Sequence, residues 1–273
     1  MARTVVDVGA LRVALGERAG LDARATGDRL GLAGKESART ERADMLDELR
    51  ELHERLWAEA KRSVLLVLQG VDTAGKDGTI RRTLQGVNPQ GCSVTSFKVP
   101  TYLELDHDYL WRVHSACPSR GRLGVFNRSH YEDVVATRVL GTVDERTWRR
   151  RYRHLRDFEQ MLTDEGTTVL KVFLHISRDE QRARLQARLD DPTKRWKFQL
   201  DDLDTRKRWD AVQSAYEEAI SETSTDAAPW WVVPADRRWV RDVAVTALLL
   251  ETFRRLDPQF PPPDPRLDGL VVE

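Results

Sequence analysis

Residues 63–79 read Ser-Val-Leu-Leu-Val-Leu-Gln-Gly-Val-Asp-Thr-Ala-Gly-Lys-Asp-Gly-Thr, and this stretch decides the fold. Ser63–Gln69 is an unbroken apolar run that stops at a glycine, the pattern of a strand buried on both faces. Gly70 and Gly75 then stand at the spacing of a phosphate-binding loop, with Lys76 directly after the second glycine. The glycines let the N–H groups of Thr73, Ala74 and their neighbours curl around an anion. A helix beginning at the lysine adds partial positive charge. The segment departs from the usual signature at one place: Asp77 stands where a serine or threonine hydroxyl normally ligates magnesium. Gly78 and Thr79 follow, and Thr79 is too far along to take over that role directly. Asp72 lies inside the loop itself. A carboxylate beside phosphates is repulsive unless a cation separates them, so Asp72 is the candidate metal ligand.

Working outward, further apolar runs occur at Ser93–Val99, Arg122–Asn127, Thr167–Ile176 and Trp230–Pro234. Helical patterns fall between them, at about residues 78–87, 104–115, 131–140, 144–164, 178–189, 200–221 and 236–256. Strands alternating with helices predict an α/β domain whose parallel sheet is covered on both sides. Before the loop, Met45, Leu49, Leu52 and Leu56 mark one face of a helix between Glu36 and Lys61. Residues 1–36 show little periodicity and are expected to form a loosely packed arm. One α/β domain is expected over 37–257. The proline-rich residues 258–273 form a tail.

The 44 basic and 44 acidic residues balance, so an anionic partner must be recognised by local clusters rather than by net charge. Neither nucleic acid nor membrane is an expected partner. The first thirty residues carry scattered charges rather than a signal-peptide core, and the two cysteines match no metal-ligand spacing. A reducing cytoplasm is the expected location.

A second block, Phe126-Asn-Arg-Ser-His-Tyr-Glu-Asp133, ends the strand that belongs beside the loop strand. Together with GVDTAGKDGTI (70–80), LQGVNPQG (84–91), SFKVPT (96–101), HDYLWRVH (107–114) and LDDPTKRWKF (189–198), it resembles the polyphosphate kinase 2 family. TSTDAAPWWVVPADRRW (223–239) and LETF (250–253) extend the similarity over roughly 45–256. The resemblance implies that 37–257 is a phosphotransferase domain with a three-layer, thymidylate-kinase-like P-loop fold, a helical lid at about 178–208 and an N-terminal helical extension. It also implies Mg2+ dependence, with Mn2+ as a substitute, and a homo-oligomer, dimer or tetramer. The implied substrates are inorganic polyphosphate and adenine nucleotides, with guanine nucleotides as further acceptors. Many members carry aspartate where this chain has Asn127, so one expected carboxylate is missing and Asn127 is left a positioning role. The Ser-His-Tyr-Glu-Asp form resembles the subgroup that accepts both AMP and ADP. Glu132 therefore belongs to the nucleotide pocket on this reading; the bland alternative is that it complements the N-terminus of the next helix.

The remaining candidates are cations and one acid. Lys76 and Arg128 flank the transferring phosphoryl group, while Asp133 and Arg138 join Asn127 and Glu132 on the nucleotide side. Arg81 and Arg82 sit one turn into the loop helix, placed to guide a long polyanion. Arg188, Lys194 and Arg195 are the lid cations, where fixed positive charge would offset developing negative charge. The other lid-helix arginines, and the run around Arg149–Arg151, Arg153 and Arg156, are expected to be solvated faces. Two other activities share the loop: an ATP-dependent nucleoside monophosphate kinase and a non-catalytic polyphosphate or nucleotide sensor. The kinase leaves the Asp72 and Asp77 pair and the second block unaccounted for. The sensor does not explain why Lys76 and Asp72 are both present.

Overall fold

The computed structural model describes residues 6–272. In chain order the first half contains β1 (Arg12–Val13), α1 (Lys35–Glu59), β2 (Ser63–Gln69), α2 (Lys76–Thr83), β3 (Cys92–Ser96), α3 (Tyr102–Leu105), α4 (Trp111–Ala116) and β4 (Leu123–Asn127). The second half contains α5 (Glu132–Leu140), α6 (Glu145–Asp164), β5 (Thr167–His175), α7 (Arg178–Asp190), α8 (Asp201–Lys207), α9 (Trp209–Thr223), β6 (Trp230–Pro234) and α10 (Arg238–Leu256).

The strands form one sheet in the order β1-β6-β5-β2-β4-β3. All pairings are parallel except β1 with β6. Every residue of β2 is buried, as its continuous apolar run requires of a strand with neighbours on both edges and helices on both faces. Its register matches Leu68 with Asn127 on β4 and Gln69 with Phe173 on β5, so three strands end at the same level. On one face α10 lies against α1 and α2, and Val240 through Leu250 are buried without a break. The other face is covered by α5, α6 and α9. Asp144 caps α6 by accepting from Thr147 N at 2.7 Å, and Ser177 caps α7 by accepting from Glu180 N at 3.1 Å.

Two expectations need correcting. Residues 104–115 are not one helix: Asp108 accepts from Leu110 N at 2.9 Å and turns the chain between α3 and α4. The arm before α1 is packed rather than loose. Val6, Val8, Leu11, Val13, Ala19, Leu21 and Leu32 are buried, and β1 extends the sheet. Backbone N–H groups of Gly20 and Leu21 donate to Glu217 at 2.9 and 2.8 Å, and Ser224 Oγ donates to Val13 O at 2.6 Å. A strand of two residues is too short to show a period, which is why the sequence pattern is silent here. Residues 1–5 lie outside the described residues. Beyond Pro258 the tail runs exposed, without helix apart from a turn at Pro265–Leu267.

A buried charge lies in the middle of β5. Lys171 has no exposed surface, and its ammonium donates to Glu159 Oε2 at 2.6 Å, Thr223 O at 2.7 Å and Tyr131 OH at 3.0 Å. Tyr131 OH in turn donates to Glu159 Oε1 at 2.8 Å, and Trp230 Nε1 donates to Thr223 Oγ1 at 2.9 Å. Burial lowers the Lys171 pKa, against the opposing pull of Glu159. Burial alone would raise Glu159, but Lys171 and His130 outweigh it and hold the carboxyl below its ordinary value. The network joins α6, β5 and α9 to the two residues that follow the β4 turn, and so fixes the floor of the site. Lys171→Met leaves Glu159 buried without its cation and should cost roughly 3–5 kcal/mol. Adding Glu159→Leu should return much of that loss. Urea unfolding measures both, and a single variant as stable as the parent would contradict this account.

Candidate active site

The loop after β2 closes on itself. Gly70 adopts φ +150°, and a side chain there would press to 2.9 Å from Leu174 O. Gly75 adopts φ +105° and caps α2. Ala74 N donates to Val71 O at 3.1 Å, which tightens the turn. Lys76 opens α2 and reaches back along the loop, donating from Nζ to Gly70 O at 2.6 Å and to Val71 O at 3.4 Å. Burial, with Arg128 close by, lowers its pKa to about 8. A phosphate drawn into the loop would replace the carbonyls as its partner and favour the charged form.

The parallel register brings the second loop to the same place. Arg128 follows β4 in the left-handed region at φ +62°, and its N–H donates to Leu68 O at 3.1 Å. Its guanidinium donates from Nη2 to Asp72 Oδ1 at 2.6 Å, joining the two loops. Burial works against the Arg128 charge, but the carboxylates of Glu132 and Asp72 outweigh it and hold the pKa above its ordinary value. Asn127 Nδ2 donates to Asp77 Oδ1 at 2.7 Å. Glu132 starts α5 beside them. Oriented to satisfy both of its ends, the Gln69 amide donates to Glu132 Oε1 at 3.1 Å and accepts from Ser129 N at 3.1 Å. The Tyr216 hydroxyl lies 3.2 Å from the same amide. Burial, with Glu132 nearby, pushes the Tyr216 phenol well up. Asp72, Lys76, Asp77, Asn127, Arg128 and Glu132 thus converge at the carboxyl ends of β2 and β4.

Other expected site residues have different partners. The Thr79 hydroxyl donates to Gly75 O at 3.1 Å, inside its own helix, and the residue is fully buried. Arg82 is paired with Asp242 on α10, so its charge is already matched, whereas Arg81 remains exposed on α2. Asp133 turns to Arg151 and Arg112, at 3.9 and 4.0 Å, beneath α5, and burial raises its pKa. Arg138 lies in the last turn of α5, where it pairs with Glu218 at 2.6 Å and covers the Trp148 ring at 4.3 Å. Arg82, Asp133 and Arg138 thus each have a charged partner from elsewhere in the chain, while the Thr79 hydroxyl is bonded within its own helix. The three expected lid cations have partners within residues 188–202. Lys194 pairs with Asp191, Arg195 Nε donates to Leu189 O at 2.6 Å, and Arg188 lies 3.6 Å from Asp202. Burial, with Asp72 next in effect, raises the Asp202 pKa.

The arginine run of α6 is not simply solvated. Arg149 pairs with Glu218 at 2.5 Å, and Arg156 donates to Glu222 O at 2.6 Å. Gln69, Tyr216, Arg184 and Arg241 were not singled out from sequence. Arg184 had a signal available: with Gln181 and Leu185 it forms the i, i+3, i+4 stripe that α7 buries.

Among the described residues, no group of three or more His, Cys, Asp or Glu residues could hold a metal alone. A small hard cation can be held by one or two carboxylates and completed by phosphate oxygens. Asp72 and Asp77 are the carboxylates at hand in the loop. No helix of the described residues is long and apolar enough to cross a membrane.

Comparison with known proteins agrees with this geometry. A relative from Meiothermus ruber named AMP/ADP-polyphosphate phosphotransferase is 54% identical over 240 residues, covering 88% of this chain and 90% of the relative. An ADP-polyphosphate phosphotransferase from Rhodopseudomonas palustris is 44% identical over 232 residues, covering 81% of this chain and 80% of its own. The crystal structure of polyphosphate kinase 2 from Arthrobacter aurescens TC1 matches with a TM-score of 0.92 at 42% identity, covering 96% of this chain and 94% of that one. The family model described as polyphosphate kinase 2 matches residues 33–261. With the loop and the adjoining Asn-Arg-Ser-His-Tyr-Glu-Asp turn in one α/β frame, this chain belongs to the polyphosphate kinase 2 family.

Proposed function

We propose that the chain transfers a phosphoryl group between inorganic polyphosphate and adenine nucleotides, taking AMP to ADP and ADP to ATP. The observation that carries the proposal is the meeting of Lys76, Asp72 and Arg128 at the ends of two adjacent parallel strands. The printed activity of the Meiothermus ruber relative supports it.

The loop N–H groups and Lys76 hold the phosphoryl group being moved, and Arg128 steadies the phosphate that faces it. In the empty site Arg128 and Asp72 neutralise one another. When phosphates enter, Arg128 exchanges the carboxylate for a phosphate oxygen and leaves Asp72 free to hold a cation. Mg2+, with Mn2+ as the substitute, supplies charge neutralisation there when bound. A terminal phosphate oxygen of the acceptor attacks the donor's end phosphorus, and the P–O bond to the shortened polyphosphate breaks in the same displacement. No covalent enzyme intermediate is needed, because positioning supplies most of the rate. The lid cations Arg188, Lys194 and Arg195 are positioned to close over the transferring group once their contacts within the lid are exchanged for phosphate. Arg81 is exposed beside the cradle and suits the distal part of a polyphosphate chain. A cytoplasmic location and a homo-oligomer complete the proposal, with guanine nucleotides as secondary acceptors.

Lys76→Ala and Asp72→Asn should each lower kcat by about 10²–10³ while leaving the melting temperature near that of the parent. Steady-state assays with polyphosphate, AMP and Mg2+ measure this. Near-parental turnover by folded Lys76→Ala would overturn the assignment.

Glu132 bears on the acceptor. AMP leaves open the space that the β-phosphate of ADP fills, and a carboxylate held by Gln69 at the edge of that space can order water or a cation within it. Glu132→Gly should therefore slow transfer to AMP far more than transfer to ADP. Equal slowing of both, or none, would make the residue a helix-terminus group worth about 0.3–1 kcal/mol.

A further inference from the structure

A loop that turns its N–H groups toward an anion must turn its carbonyls the other way, into the protein. Those carbonyls need donors, or their burial would oppose the anion-accepting shape. Lys76 serves the carbonyls of Gly70 and Val71, and the donors to those of Thr73 and Ala74 are two buried arginines on different helices. Arg184 of α7 donates from Nη1 to both Thr73 O and Ala74 O at 3.0 Å. Its Nη2 donates to Ala235 O at 2.6 Å and Asp236 O at 2.9 Å, just past β6. One planar guanidinium therefore rivets the back of the loop to the adjoining sheet end. Arg241 of α10 donates from Nη1 to Ala74 O at 3.2 Å. Its other side is held by Asp242 Oδ1, at 3.0 Å from Nε and 2.7 Å from Nη2. Asp242 is also paired with Arg82 of α2, so Arg241 is tied to the helix that the loop opens.

The loop is shaped to admit these groups. A Cβ added to Gly75 would lie 1.9 Å from Arg241 Nη1. The second glycine is thus required both by φ +105° and by the guanidinium behind it. Thr73 adopts φ +65°, where a residue with a side chain is strained, and the carbonyl of that peptide is one that Arg184 holds. Both arginines are nearly inaccessible, at 6% and 2% exposed, so neither can reach solvent or touch a substrate in this arrangement.

We propose that Arg184 and Arg241 are positioning residues that hold the phosphate cradle open to anions from behind, each through a carbonyl of the loop. The proposal deepens the polyphosphate reading and rests on it. Each guanidinium is itself paired, Arg241 with Asp242 and Arg184 with Glu180 at 2.7 Å, so what they give the loop is orientation rather than unmatched charge. Because α7 lies within the expected lid segment 178–208, Arg184 ties that segment to the loop proposed to receive the phosphates.

The test compares Arg184→Met and Arg241→Met with Arg184→Lys and Arg241→Lys. Polyphosphate binding is measured by calorimetry without nucleotide, beside steady-state kinetics and melting temperature. Loss of an orienting partner behind a functional group typically costs about 10- to 100-fold. Each methionine variant is expected to weaken polyphosphate binding and lower kcat within that range, with the KM for AMP roughly unchanged. Each lysine variant, whose ammonium can still donate to the loop carbonyl but lacks the planar fork, should recover part of the loss. Methionine variants that only melt lower, with parental polyphosphate affinity and kcat, would overturn the proposal. If the methionine variants do not fold, the lysine variants decide. A clear loss of polyphosphate affinity near the parental melting temperature supports the proposal, and parental constants overturn it. Failure of the parent protein itself to bind polyphosphate would instead overturn the functional reading on which this rests.

Discussion

Strand β2 can exist only if both of its edges and both of its faces are covered, and the rest of the structure follows from that constraint. Seven consecutive residues without exposed surface leave no polar edge for water. The parallel neighbours β4 and β5 must therefore pair along its length, and their register sets where the connecting loops emerge. Since parallel strands all end on one side, the loop after β2 and the turn after β4 are forced together. The Asp72–Arg128 contact and the Asn127–Asp77 contact are consequences of that alignment.

The site solves an electrostatic difficulty by pairing. Asp72, Asp77 and Glu132 bring acidic groups to a place meant for phosphate. In the empty protein Arg128 and Asn127 occupy two of them, and Gln69 holds the third. In the proposed mechanism an arriving phosphate chain competes for the cations, while a divalent ion takes over the carboxylates. The site is thereby kept from collapsing onto its own charges without being neutralised permanently. Behind it the arrangement is fixed rather than exchangeable: Arg184 and Arg241 stay bonded to loop carbonyls, and Lys171 and Glu159 pin the floor.

The long periodic segments were legible in the sequence because burial imposes a repeat on residue type. The buried run of β2, the glycine spacing of the loop and the amphipathic stripe of α1 all follow from that. The two-residue strand β1 carries no repeat, and neither does the turn at Asp108. Charged partners were legible only where the loop itself dictates them, as with Lys76. Arg82, Asp133 and Arg138 each found a partner distant in sequence, and no local pattern specifies Asp242, Arg151 or Glu218. The buried arginines behind the loop were missed for a related reason: an arginine on a helix is most often at the surface, and only its place on the inward stripe marks Arg184 out.

The central claim is that the phosphoryl donor is a polyphosphate chain. Initial rates of phosphorylation of AMP and ADP should be measured with polyphosphate or ATP as donor, in Mg2+ and at rising salt, with products separated. The account predicts ADP and then ATP from polyphosphate, faster than any transfer from ATP to AMP. It also predicts a steeper loss of the polyphosphate reaction with salt, because several charges are neutralised on binding. Transfer that proceeds from ATP and not from polyphosphate would contradict it.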